Sequence, residues 1–194
     1  MADPAYIVDG VLTDGEAWVA VGSTTISGTS TTSVTFTSTD DGQTGDFSQY
    51  MDLCFVCSGS AIYAPASILS LRYKINSDAS NYKSVRMKGD RTSATGADEN
   101  YNQLGQLVSS DPASYQGVTV AWFFDINSAK NKAILTQNGM DRGASQDGVI
   151  MLAGRQYTQP EPISSLYFYE PNGFSFQAGS RFDLWGILPR MVTA

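Results

Sequence analysis

After Gly15, hydrophobic and polar positions fall into short runs with period-two character, separated by Gly, Asn, Asp and Ser clusters. The clearest run is Thr31 to Thr39, where Val34 and Phe36 alternate with Ser33, Thr35 and Thr37. Successive side chains of a strand face opposite ways, so the pattern predicts a strand with one side in the core and the other in water. Comparable runs, rich in β-branched and aromatic residues, predict strands at Glu16 to Val21, Tyr50 to Cys57, Ala66 to Ile75, Tyr82 to Lys88 and Val118 to Asp125. Others lie at Lys132 to Thr136, Val149 to Arg155, Ile163 to Tyr169 and Arg181 to Ile187. About ten strands suffice for two packed sheets or a barrel. Helices fit poorly, because Ser and Thr make up about a fifth of the chain and no segment sustains a capped apolar stripe over three turns. One short helix stays open at Asn100 to Ser109, where Tyr101, Leu104, Leu107 and Val108 match one turn pattern.

Between these runs lie turn formers that tolerate positive φ: Asp40-Asp41-Gly42, Asn138-Gly139, Gln146-Asp147-Gly148 and Pro171-Asn172-Gly173. The last of these predicts a hairpin joining the two final strands. Gly89 to Asn100 is the longest polar interior stretch and reads as a loop. Met1 to Gly15, with Pro4, Gly10, Gly15 and three Asp around the apolar patch Tyr6-Ile7-Val8, reads as an extended N-terminal arm. Residues 16–194 then form a single domain.

The chain has 194 residues, of which 42% are hydrophobic and 16% charged. A domain of this size hides roughly 70% of its unfolded surface and needs no staple. The net charge of −7 with only 12 Lys and Arg argues against unaided binding to nucleic acid or an anionic membrane. No signal-peptide pattern and no run of about 18 apolar residues occurs, so folding in a cytoplasm is expected.

The absence of His removes Ser-His-Asp and Cys-His nucleophile systems and His-based metal centres. Cys54 and Cys57, three apart on a strand, face opposite ways and are expected to stay reduced structural thiols. No further Cys or His completes a zinc site, and no cofactor motif is present. Asp40, Asp41 and Asp46 cluster around two Gly, yet no Glu closes a calcium-loop frame, so a solvated turn is expected. Glycoside cleavage needs only two carboxylates. Asp125 and Asp183 are the acids most embedded in strand patterns, each expected to face outward or to pair with a cation such as Arg181 or Arg190. No catalytic pair is indicated.

Aromatic positions carry a stronger signal. Alternation puts Leu166 and Phe168 on one face with Tyr167 and Tyr169 on the other, and Phe182 and Leu184 opposite Asp183 and Trp185. Tyr167, Tyr169 and Trp185 are therefore candidate interface residues on the side away from the aliphatic core. Such a face fits a sandwich covered by loops, a subunit interface, or a sugar-stacking surface.

The C-terminal string Ile163-Ser164-Ser165-Leu166-Tyr167-Phe168, Asn172-Gly173-Phe174, Ala178-Gly179-Ser180, Phe182 and Leu184-Trp185-Gly186-Ile187 resembles the closing hairpin of small tailed-bacteriophage virion proteins. There a strand of type I-x-x-L-x-F precedes G-x-F-x-x-G-S-x-F-x-L-Y-G-I. Here one extra residue precedes Gly179, and Trp185 replaces the usual Tyr. Trp18 to Thr37, with Ser33-Val34-Thr35-Phe36-Thr37, is similar to the family's opening strands. The matching parts cover a quarter of the chain.

The resemblance implies a jelly-roll-type antiparallel β-sandwich of about eight to ten strands and a non-enzymatic place in a virion, assembled in the host cytoplasm. The leading expectation is a capsid decoration (cement) protein, a homo-oligomer of three copies that clamps the major capsid protein. Its arm residues Tyr6, Ile7 and Val8 would add to a neighbour's surface. The alternatives are a tail or fibre module binding host glycan, and a depolymerase working through two carboxylates. No cofactor, metal, nucleic acid or membrane partner is expected.

Overall fold

The computed structural model describes residues 7–8, 11–12, 17–63, 67–90, 92–99, 101–109, 116–140 and 148–188. A two-residue ladder joins β1 (Ile7–Val8) to β2 (Val11–Leu12) within the expected arm; Tyr6 lies outside the described residues. Then come β3 (Trp18–Thr25), β4 (Ser33–Thr37), β5 (Asp52–Ala61), β6 (Ile68–Ile75), β7 (Tyr82–Asp90) and β8 (Ala94–Glu99). The chain continues through β9 (Gln103–Ser109), β10 (Gly117–Phe124), β11 (Lys132–Met140), β12 (Val149–Tyr157), β13 (Ser165–Tyr169) and β14 (Arg181–Ile187). The described residues contain no α-helix, only a 3-10 turn at Phe47–Gln49.

The fold is an all-β sandwich of the jelly-roll-like class. A large antiparallel sheet runs β3-β14-β5-β10-β11-β12-β7-β8, and a small one runs β4-β13-β6-β9. The two are continuous at one corner, where the end of β5 runs parallel to β9 at Ser60–Val108 and Ala61–Ser109. The core lies between them. Phe55 of β5 stacks on Phe168 of β13, with ring centroids 3.8 Å apart. Phe168 also meets Phe36 edge-on, and Phe182 packs beside Phe55 and Phe176. Tyr73 meets Tyr82 and Phe123 edge-on, extending the same cluster across the large sheet.

All ten expected strands form, with small shifts at their ends. Four local expectations are corrected. Asn100 to Ser109 holds β9 in place of a helix: it is buried along its length and pairs with β6. A strand covered on both faces shows the same short apolar run as a helix turn. The expected loop from Gly89 to Asn100 holds strand β8, which pairs with β7 from Gly89–Ala94 to Ser84–Glu99. The Asp90 carboxylate closes the turn between them by accepting the Thr92 and Ser93 N–H groups, which hold its pKa down to about 2. Asn138-Gly139 lies inside β11, where the Asn138 amide donates to the carbonyls of Gln106 and Val118.

The fourth correction bears on function. β13 and β14 do not pair; they belong to different sheets. Gly173 has φ +80 in the turn after β13, where the Glu170 carboxylate accepts N–H groups from Asn172 and Phe174. The chain then crosses the core edge at Phe176 before entering the large sheet. Gln146 and Asp147 of the remaining predicted turn lie outside the described residues.

Phe55→Ala should lower the unfolding free energy by about 3–5 kcal/mol, read from urea denaturation, since it removes the ring that joins the two sheets. A loss below about 1 kcal/mol would mean that this stack does not hold the sandwich together.

Candidate functional site

Alternation in the large sheet sends one set of side chains into the core and the other to the outer face. Four adjacent strands, β5, β10, β11 and β12, meet in register there. One row is Cys54, Trp122, Leu135 and Gly154; the next is Val56, Val120, Gln137 and Leu152; the third is Ser58, Val118, Gly139 and Ile150. None of these twelve residues is charged, in a chain with 12 basic and 19 acidic residues. β7 extends the same face with Val85 beside Gly154 and Met87 beside Leu152.

This face is both apolar and exposed. Ile150 is 74% exposed, Val85 63%, Met87 61% and Val118 46%, values usual for lysine and not for aliphatic side chains. Large projecting side chains alternate with hollows over glycine. One hollow, about 650 Å³, lies over Gly154 between Val85, Leu135 and Phe124, with Lys83 and Asp98 at its edge. Two others, about 530 and 430 Å³, flank Ile150 beside Gly89 and Gly139.

All three tryptophans of the chain also lie on this side. Trp185 and Trp122 are the two cross-strand neighbours of Cys54, and Trp18 meets Trp122 edge-on at 5.1 Å. Cys54 is buried beneath them, while Cys57 points into the core; both are free thiols. Burial pushes the Cys54 thiol up to about 11, and burial followed by the nearby Asp183 charge raises Cys57 as well.

The candidate interface residues separate. Trp185 belongs to the apolar face, whereas Tyr167 and Tyr169 sit on the outer face of the small sheet, on the other side of the sandwich. There the Lys74 ammonium lies 5.3 and 5.2 Å from the two tyrosine rings, and hydroxyl residues Thr35 and Ser33 stand opposite them on β4. The expected single aromatic surface is thus two surfaces of different chemistry. Ile7 and Val8 form β1, and their side chains lie outside the described residues. The sequence reading missed Val85, Met87, Val118, Ile150 and Leu152, although their outward parity was readable once each strand's core side was known.

Asp125 and Asp183, the two acids the sequence singles out, do not converge. Asp183 sits across from Val56 and pairs with Arg181 at 2.8 Å. Asp125, at φ 53, donates its N–H to the Asp52 carboxylate at 2.7 Å. Four residues of β5, about 13 Å of strand, separate these two places, beyond the reach of a glycosidase pair. Burial raises the Asp52 pKa, the Asp125 N–H opposes it, and the neighbouring Asp125 carboxylate adds to the rise. Asp46 accepts from Gly42 and Ser48, and Asp41 from Thr39 and Gln43, so these oxygens serve the turn. Among the described residues no group of three His, Cys, Asp or Glu could hold a metal, and no helix is long and apolar enough to cross a membrane. No family model matches the chain, and no curated protein matches it.

A thiol reagent at pH 8 should modify neither cysteine in the native protein and both after denaturation, because burial covers both sulfurs and raises both pKa values, that of Cys54 to about 11. Trp185→Ala should speed labelling of Cys54 and leave Cys57 protected, as mapped by mass spectrometry. Equal acceleration at both would indicate loosening of the whole sheet.

Proposed function

We propose that this chain is a non-enzymatic structural protein of a tailed-bacteriophage virion, a capsid decoration protein that forms a closed oligomer and clamps neighbouring coat subunits. The observation that carries the reading is the exposed outer face of β10, β11 and β12, whose outward residues are uncharged and largely apolar, with charge only on the flanking strands at Asp183, Lys83 and Asp98. Exposed apolar patches of this kind mark contact surfaces, since water solvates them poorly. The reduced, covered thiols fit a role in assembly. The resemblance of the β13-to-β14 segment to virion proteins supplies the particle. Such a protein folds in the host cytoplasm and acts on the shell, where several weak contacts work together.

The second reading, a tail or fibre module binding host glycan, draws on the other side of the sandwich. Tyr167, Tyr169 and Lys74 combine ring faces with a cation amid hydroxyl groups, a set suited to an acidic sugar.

Electron microscopy of intact particles carrying a labelled chain tests the two. Density on the shell at coat-subunit junctions is expected; density on the tail, with binding to an acidic glycan array, would favour the second reading. Deleting residues 1–15 should leave the β-sandwich signal in circular dichroism unchanged and lower shell occupancy. Equal occupancy of both chains would remove the arm from the contact.

A further inference from the structure

We infer that the outer face of the large sheet docks on the same face of a second copy of this chain, with β12 of each copy lying over β10 of the other. This deepens the proposed function by naming the oligomer contact, and rests on that reading only in taking this face as a contact surface.

Size is the first argument. From β14 to β7 the face spans six strands about 4.8 Å apart and seven residues long at about 3.3 Å each, roughly 650 Å² in plan before side-chain relief is added. That approaches the ~800 Å² each partner gives to a standard interface, with an apolar centre on β10 to β12 and the charged Asp183 and Lys83 at its rim.

The second argument is self-complementarity. β11 is the middle of the seven strands from β14 to β8. A two-fold axis lying along β11 exchanges β10 with β12 at constant register. The ladder then sets Val118 opposite Ile150, Val120 opposite Leu152, and Trp122 opposite Gly154. The first two are aliphatic pairs. The third places an indole over the 650 Å³ hollow. Projections and hollows that match across one axis on one surface are what an isologous contact requires, and sheets packed face to face keep their strands within about 30° of each other.

Charge is the third. Two bodies of net charge −7 repel, and they can approach most closely through a surface whose central strands carry no charge. Because the face pairs with itself, the contact closes at two copies, in contrast to the three expected from the sequence.

Sedimentation equilibrium of the full chain at micromolar concentration, without particles, should give a mass of two chains. Gly154→Trp fills the hollow, yet a Cβ there meets nothing within the monomer, so the fold is retained while the dissociation constant rises tenfold or more. Ile150→Lys and Val118→Asp should each yield monomers, and a mixture of the two should recover pairs, because one lysine then faces one aspartate.

A monomeric or three-chain wild type, or pairing that persists in all three variants, would overturn the inference. Pairing without particle binding would support it and refute the virion reading. Particle binding by a chain that stays monomeric would overturn it and leave the shell-binding part of that reading standing, without its oligomer.

Discussion

Strand β5 is hydrogen-bonded to β14 and β10 along most of its length and to β9 at its end, so it belongs to both layers. From it Phe55 reaches across to stack on Phe168, which fixes how the layers sit on one another. The same strand sets the outer surface. With Leu53, Phe55 and Cys57 turned inward, Cys54, Val56 and Ser58 must face out, and the ladders through β10, β11 and β12 carry that parity across the sheet. A one-residue slip would bury this outer side and expose the aromatic core.

The two outer faces answer to different physics. On the small sheet, outward positions are Ser, Thr, Tyr, Arg and Lys, whose hydroxyl and cationic groups stay hydrated. On the central strands of the large sheet they are mainly Val, Ile, Leu and Trp, with Cys54, Ser58, Gln137 and glycine between them, and charge returns only on the flanking strands. β-branched residues suit a strand on either face, so local preference does not account for the second set. Burial against another surface does, because each such side chain returns free energy when removed from water.

Within the sandwich, a polar layer holds β9 against the large sheet. The Asn138 amide donates to the Gln106 carbonyl, the Val118 carbonyl and the Thr119 hydroxyl, while Gly105 approaches Thr119 so closely that a Cβ would collide. Lys132, fully buried, directs its ammonium at the carbonyls of Ser128, Lys130 and Pro160. Buried groups with so few acceptable geometries favour one register, since a shift would leave them unpaired at a cost of about 1–3 kcal/mol each.

Strand positions were legible in the amino-acid order where a strand half in water alternates, as Ser33 to Thr37 does, or where β-branched and apolar residues run together, as from Val149 to Ala153, whose alternation appears only in its burial. The inward side of β13 and β14, the separate thiols and the lack of His-based chemistry were readable for similarly local reasons. β9 was not, since burial on both faces erases the alternation that distinguishes a strand from a helix turn. Nor was β8, whose short polar residues resemble a loop until β7 supplies hydrogen-bond partners. Which strands lie side by side depends on pairings between residues tens of positions apart, on which no local pattern bears. The tertiary structure alone therefore decided that Trp185 and Tyr167 occupy opposite surfaces, and that Val118, Leu135 and Ile150, distant in the chain, meet in one apolar face.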